Sequence, residues 1–310
     1  MKIVFLDRKS IGEDIDLSGF KRFGDVITYN YSTAEEAAER TVDADIIILN
    51  KVPINEKTIG KAKNLKLVCV TATGTNNLDK GYLASRGIEW RNVAGYSTEA
   101  VAQHTFALLF YLFEHLSYYD DYVKKENYVN DRLFTHFEKK FWELNGKTWG
   151  IIGLGAIGAR VAEIATCFGA NVIYYSTSGR NHSDTYKEVD FNTLLTTSDI
   201  VSIHAPLDEN TLHLIDAEAL KKMKSTSILI NVGRGPIIVE KDLAEALNNG
   251  VIAGAGLDVL DIEPMTEENP LRLIKDSEKL IITPHIAWAA VEARTRLMQI
   301  IEKQVEEFLR

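Results

Sequence analysis

Along the first hundred residues, short runs of β-branched and aliphatic residues alternate with longer stretches whose apolar positions recur at helical spacing. The runs are Ile3 to Leu6, Val26 to Tyr29, Asp45 to Leu49, Leu67 to Thr71 and Ile88 to Arg91; helical patterns at Ala34 to Arg40, Glu56 to Lys63 and Leu78 to Arg86 lie between them. This alternation predicts a parallel sheet with helices on its faces. A long apolar-striped segment, Thr98 to His115, follows the N-cap candidate Ser97 and reads as an interdomain helix. A second series of strand patterns then runs through Thr148 to Ile152, Asn171 to Tyr175, Asp199 to Ile203, Ser227 to Asn231, Ile252 to Leu257 and Lys279 to Thr283. Six such strands suit a doubly wound sheet of order 3-2-1-4-5-6. The last helical pattern, Ala287 to Arg310, has no strand after it and is expected to return to the first domain. The chain therefore reads as α/β with two parallel-sheet domains, residues 1–97 with 287–310, and residues 98–286.

One segment breaks the alternation. Residues 111–142 hold ten aromatics, from Tyr111 and Phe113 to Phe141 and Trp142, among many charges. Such a mixture fits an interface patch with a polar rim, and equally an irregular connector packed within one chain.

Composition narrows the class. Of 310 residues, 45% are hydrophobic and 25% charged, as in ordinary globular proteins, and the length suits about two domains with their own cores. The formal charge of −9, from 35 basic and 44 acidic residues, argues against nucleic acid or an anionic membrane surface as partner. Any anionic ligand needs a locally positive site. The longest apolar run, Phe106 to Phe113, is too short to span a bilayer, and the N-terminus lacks a signal-peptide core. A cytoplasmic location is the expectation. Cys69 and Cys167 are too few for a disulfide framework and read as buried strand and helix residues; no histidine pair has metal-ligand spacing, so no metal is expected.

A local positive site is offered by Gly153-Leu154-Gly155-Ala156-Ile157-Gly158, which lies between a strand pattern and a helical one. In that context Gly153 permits a tight turn, Gly155 lets backbone amides approach a pyrophosphate, and Gly158 lets helix and strand pack closely, with the helix N-terminus supplying a positive dipole. The next strand commonly ends in an acid that accepts from the adenine ribose. Here it ends in Ser176-Thr177-Ser178-Gly179-Arg180, with no carboxylate. These hydroxyls and Arg180 are able to receive a 2′-phosphate, so both NAD(H) and NADP(H) stay open.

In a doubly wound sheet, ligands sit beyond the carboxyl ends of the strands. The later strands end in His204-Ala205-Pro206, Asn231-Val232-Gly233-Arg234-Gly235, Asp258 with Glu263 beyond it, and Pro284-His285. Arg234, Asp258, Glu263 and His285 thereby converge on the half of the site away from the adenosine. That set suits reduction of a 2-oxo acid. Histidine, with a reference pKa of about 6.5, can give and retrieve a proton near neutrality. A carboxylate such as Glu263 orients the ring, and a guanidinium such as Arg234 binds a carboxylate while polarising the adjacent carbonyl. Each residue alone would more often be structural; His104, for instance, reads as a packed, hydrogen-bonded histidine.

Taken together, the motifs resemble the D-isomer-specific 2-hydroxyacid dehydrogenases across essentially the whole chain. They are Ala72 to Asp79, Asn92 to Thr98, the Gly153 to Gly158 loop, His204 to Leu207, Asn231 to Gly235, Gly256 to Val259 with Glu263-Pro264, and Thr283 to His285. The resemblance implies a flavodoxin-like substrate domain and a Rossmann NAD(P)-binding domain that close over a cleft. It implies a catalytic set of Arg234, Glu263 and His285, contact of Asp258 with the nicotinamide carboxamide, and contact of backbone amides around Thr73 and Gly74 with the substrate carboxylate. It also implies a homodimer joined through the cofactor domain, which favours an interface at residues 111–142. The stretches Leu49 to Pro53, Ala72 to Asn76 and Tyr96 to His104 are most similar to glycerate dehydrogenases, also called hydroxypyruvate reductases, and Lys51 would add a positive substrate contact. D-Lactate dehydrogenase, acting on pyruvate, and a non-catalytic NAD(H)-sensing protein like the C-terminal-binding corepressors are the alternatives. Glu263, where formate dehydrogenases carry glutamine, argues against that member.

Overall fold

A computed structural model describes residues 1–310. The chain divides into two compact units, Met1–Ser97 with Trp288–Arg310, and Thr98–Ala287. The last boundary falls one residue later than the sequence reading set it, because the Ala287 amide donates to Asp258 of the second unit.

The first unit is a five-stranded parallel sheet in the order β2-β1-β3-β4-β5, built from β1 (Lys2–Phe5), β2 (Asp25–Thr28), β3 (Ile46–Leu49), β4 (Leu67–Val70) and β5 (Glu89–Arg91). The inner strands β3 and β4 are buried at every position, which is why they read as continuous apolar runs with no alternation. Helices α1 (Ala34–Arg40), α2 (Glu56–Ile59) and α3 (Lys80–Ser85) connect them; α1 starts at a capping box between Thr33 and Glu36. The C-terminal helix Val291–Leu309 belongs to this unit and buries Leu297, Met298, Ile301 and Val305.

The second unit opens with α4 (Thr98–Phe113) and α5 (Leu116–Lys124) and continues as a seven-stranded parallel sheet, β6 (Thr148–Ile152), β7 (Asn171–Tyr175), β8 (Lys187–Glu188), β9 (Ile200–Ile203), β10 (Ile228–Asn231), β11 (Gly254–Leu257) and β12 (Leu280–Ile282). Their order is β12-β11-β10-β9-β6-β7-β8. The two-residue β8, polar and exposed, escaped the sequence reading and takes the third place. The strand Asp199 to Ile203, counted third there, is therefore fourth and pairs with β6 on the side away from β7. The remaining helices are α6 (Ala156–Cys167), α7 (Phe191–Thr197), α8 (Ala217–Lys222) and α9 (Glu240–Asn248), with the C-terminal helix as α10. Helix α4 lies against β10 to β12 and α6. It comes close because β11 is Gly-Ala-Gly: a Cβ on Gly256 would stand 3.0 Å from the Leu108 Cβ. Cys69 is buried in β4 as expected, whereas Cys167 is exposed, since it ends the last turn of α6 on its solvent side.

The aromatic segment divides in two. Tyr118, Tyr119, Tyr122, His136 and Phe141 pack on one another, the Tyr122 and His136 rings stacking at 3.9 Å. Val129, Leu133, Phe134 and Phe137 project outward, Phe134 at 89% exposure.

Candidate active site

The glycine loop shows how a phosphate cradle is cut from backbone. Gly153 has φ of +90°, and a Cβ there would stand 2.9 Å from the backbone of Ala205; one on Gly158 would stand 2.2 Å from the Gly153 carbonyl oxygen. These two positions press β6, α6 and the 204–206 loop together. A Cβ on Gly155 would meet nothing, and no side chain caps α6, so the helix N-terminus faces open space with its amides bare. Bare amides at a helix N-terminus are the donor set an anion such as a pyrophosphate requires. At the end of β7 the Ser176 hydroxyl is buried without a hydrogen-bond partner; Thr177 and Ser178 follow, and Arg180 is exposed and makes no ion pair. A buried, unsatisfied hydroxyl beside the cradle fits a polar ligand such as a ribose. The residues present thus fit a nicotinamide dinucleotide.

His204 follows β9 beside the same loop. Trp149 Nε1 donates to Ser202 Oγ at 2.8 Å, and that hydroxyl is hydrogen-bonded to His204 Nε2 at 2.9 Å. Its Nδ1 is buried without a partner. Desolvation pushes the His204 pKa down to about 3, leaving the imidazole neutral and unsuited to donate a proton near neutrality.

The loops after β10, β11 and β12 hold the remaining polar set. Glu263 accepts from the Leu260 amide at 3.1 Å through Oε1, and Oε2 lies 2.7 Å from His285 Nδ1. A carboxylate only accepts, so Nδ1 carries the proton and Nε2 is the nitrogen left for a reacting group. His285 has φ of +56°, a left-handed conformation costly for a residue with a side chain. Its amide donates to the carbonyls of Asp258, at 2.8 Å, and Thr283, at 2.9 Å. Beneath it the Asp258 carboxylate, 1% exposed, accepts from the Thr283 hydroxyl at 2.6 Å and from the Ile286 and Ala287 amides at 2.8 and 2.9 Å. His104 on α4 approaches the Thr283 hydroxyl at 2.9 Å and Asp258 at 3.5 Å. Asp258 and Thr283 therefore fix the turn that presents His285. That His104 is packed and hydrogen-bonded is legible in the sequence; that it holds the Thr283 hydroxyl is not, because the two residues are 179 positions apart.

Arg234 follows β10, next to β11 in the sheet. Asn231 ties its loop from below, donating to the Arg234 carbonyl at 2.9 Å and accepting from the Gly233 amide at 3.0 Å. The half-buried guanidinium donates to the Gly233 carbonyl at 2.7 Å and makes no ion pair, which leaves donors for a ligand. A Cβ on Gly235 would lie 1.9 Å from the Leu260 carbonyl, so the Arg234 loop and the loop leading to Glu263 touch backbone to backbone. Val232, Ala205 and Pro206 line these strand ends, the first two buried and Pro206 exposed.

Other expected residues stand in the first unit. The Thr73 hydroxyl donates to the Val93 carbonyl at 3.0 Å, so its free contacts are through backbone; Asn92 donates to the Thr73 carbonyl at 2.6 Å. Lys51 is exposed at the end of β3, its amide donating to Asp7 at 2.7 Å. No group of three or more His, Cys, Asp or Glu could hold a metal ion.

Residues 106–287 match the family model described as the NAD-binding domain of D-isomer-specific 2-hydroxyacid dehydrogenases. The chain belongs to that family. Among relatives of this oxidoreductase is a hydroxypyruvate reductase of Blautia hydrogenotrophica, 37% identical over 100% of this chain and 97% of its own. A glycerate dehydrogenase of Methylorubrum extorquens is also 37% identical, over 99% and 96%. Of solved structures, an acyclic imino acid reductase in complex with NADPH and D-Arg superposes with a TM-score of 0.87 at 30% identity, over 100% of this chain and 97% of the other. A D-lactate dehydrogenase from Aquifex aeolicus, complexed with NAD and lactic acid, superposes with a TM-score of 0.85 at 27% identity, over 99% and 95%. As a 2-hydroxyacid dehydrogenase, the protein uses NAD(P)(H).

Proposed function

We propose that this dehydrogenase interconverts a small 2-oxo acid, hydroxypyruvate or glyoxylate, and the corresponding 2-hydroxy acid. The observation that carries the reading is the 2.7 Å pairing of Glu263 with His285 Nδ1, on the strand ends next to the unpaired guanidinium of Arg234. The bound nicotinamide supplies or accepts the hydride. His285 gives its Nε2 proton to the carbonyl oxygen during reduction and retrieves it during oxidation. Glu263 stabilises the imidazolium and holds the ring; Arg234 binds the substrate carboxylate and polarises the carbonyl. The amides around Thr73 and Gly74 are proposed for the same carboxylate on the family resemblance alone. Asp258 meets the nicotinamide carboxamide in that resemblance; its spent oxygens favour a positioning part as well.

For the cofactor we favour NADP(H). In support are the missing carboxylate after β7, the unsatisfied Ser176 hydroxyl and the unpaired Arg180, groups that accommodate a 2′-phosphate. A homodimer through residues 111–142 accords with the outward Phe134, Phe137 and Leu133, a grouping of apolar side chains that soluble monomers seldom expose. A cytoplasmic location accords with two free cysteines, and no helix is long and apolar enough to cross a membrane.

The deciding experiment is steady-state turnover of a 2-oxo acid panel with NADH and NADPH. Turnover on hydroxypyruvate or glyoxylate, faster with NADPH and with that preference lost in Arg180→Ala, is expected. Tight cofactor binding with no turnover on any acid would overturn the enzyme reading in favour of a sensor. His285→Gln should slow turnover by about 10² to 10⁴-fold, the range for a general acid; a change within about tenfold would remove His285 from that role.

A further inference from the structure

The first unit has a switch point of its own. In the order β2-β1-β3-β4-β5 the chain runs from β1 outward to β2, then crosses back to β3, and open parallel sheets hold ligands at the carboxyl ends of strands where such a reversal occurs. A cavity of about 410 Å³ lies there, lined from the end of β1 by Asp7, Lys9 and Ser10, from β2 by Asn30, Tyr31 and Ser32, and from β3 by Lys51 to Pro53. That volume falls within the range of small-molecule sites.

The polar groups around the cavity divide into spent and free. The Asp7 carboxylate is spent on the Asn50 and Lys51 amides. The Ser32 hydroxyl donates to the Leu6 carbonyl at 2.6 Å and accepts from Arg40 at 2.8 Å. The Arg8 guanidinium turns back onto the carbonyls of Gly12 and Ile15. What is left is cationic or donating. The Lys51 ammonium makes no ion pair or side-chain hydrogen bond; the Lys9 ammonium makes no ion pair and is hydrogen-bonded to the Tyr31 side chain, which leaves two of its three donors; and the Ser10 hydroxyl is buried with no partner. A buried hydroxyl without a partner costs free energy that a bound ligand would recover.

We propose that this pocket, which shares no residue with Arg234, Glu263 and His285, is a second ligand site that binds a compact organic anion with several acceptor oxygens, through Lys9, Lys51 and the Ser10 hydroxyl. Val52 and Pro53 form its apolar wall. A phosphate ester and a dicarboxylate share the required chemistry. Lys51, offered to the substrate by sequence, is thereby assigned to this pocket.

The test is calorimetric titration of the full chain, held saturated with oxidised cofactor so that the glycine loop is filled, with inorganic phosphate, glycerol phosphate and malonate. One saturable site is expected, weakened at least tenfold by Lys9→Ala and by Ser10→Val, with turnover of the 2-oxo acid unchanged in both variants. Binding of the phosphates alone marks a phosphate site, and binding of malonate alone a carboxylate site. No saturable binding of any probe, or equal affinity in the wild type and Lys9→Ala, overturns the proposal. Lys9 is exposed, so its variant folds even if Ser10→Val does not. Because turnover is read separately, failure here leaves the dehydrogenase reading standing, and the converse.

Discussion

Asp7 and Asp258 are the same device used twice. Each follows a sheet strand, β1 in one unit and β11 in the other, each is almost wholly buried, and each accepts two backbone amides from the loop after the neighbouring strand. The loops differ in what they carry: Asp7 holds Asn50 and Lys51, and Asp258 holds the turn that presents His285. Their remaining partners differ too. Asp258 also receives the Thr283 hydroxyl, with His104 alongside, whereas Asp7 has backbone amides alone, and burial outweighs them and holds its carboxyl above the ordinary range. A buried carboxylate fixes a loop through backbone amides wherever the sheet brings two strand ends together; side-chain partners make the fixture stiffer.

Of the two clamps, the larger effect is expected at Asp258. Asp258→Asn puts an NH₂ against amides that need an acceptor, so the turn around His285 should loosen. Turnover should fall by about 10²-fold, as for a misplaced catalytic group, and stability by roughly 3 kcal/mol, as for lost hydrogen bonds to a charge. Retention of full turnover would break the assignment of Asp258 to positioning.

A second effect concerns His204, which follows β9. With a folded pKa of about 3 against an ordinary 6.5, His204 is neutral in the native state, so its contribution to stability is present above pH 6.5 and is lost as pH falls toward 3. The decline should reach about 1.4 kcal/mol per pH unit, one proton's worth. Urea unfolding from pH 7 to 4 should show a shallower acid decline in His204→Gln; identical slopes would mean that the ring takes up a proton in the folded state.

The smallest effect is expected at Asp7. Its folded pKa is raised, so the stability linked to its protonation is present below the unfolded value and is lost as pH rises through the folded one. Asp7→Asn is locked in the uncharged form and should lack that dependence, at a cost of about 1 to 2 kcal/mol for an imperfect acceptor. A loss as large as that of Asp258→Asn would erase the distinction between the two clamps.

Much of this was legible one residue at a time. Strands buried on both faces announce themselves as runs such as Ile46 to Leu49, and β6 and β7 have the bounds expected of them. Glycines that allow backbone contact, at 153 and 158, follow from their spacing. Harder to read was anything whose reason lies across the sheet. The two-residue β8 has no apolar face to betray it, and without it the place of β9 was miscounted. The partners of Asp258 come from α4 and the loop after β12, and those of Asp7 from the loop after β3.

The sequence alone determined which elements form and which residue chemistries stand at their ends, because periodicity, glycine spacing and side-chain type are local. Tertiary structure decided which of those ends meet. It paired Glu263 with His285 at 2.7 Å, spent Asp7 and Asp258 on amides, and left Lys51 and the Ser10 hydroxyl unpartnered around one cavity. The reason is geometric: a hydrogen bond needs two groups within about 3 Å, and in a parallel sheet neighbours in space are separated in sequence by a whole crossover.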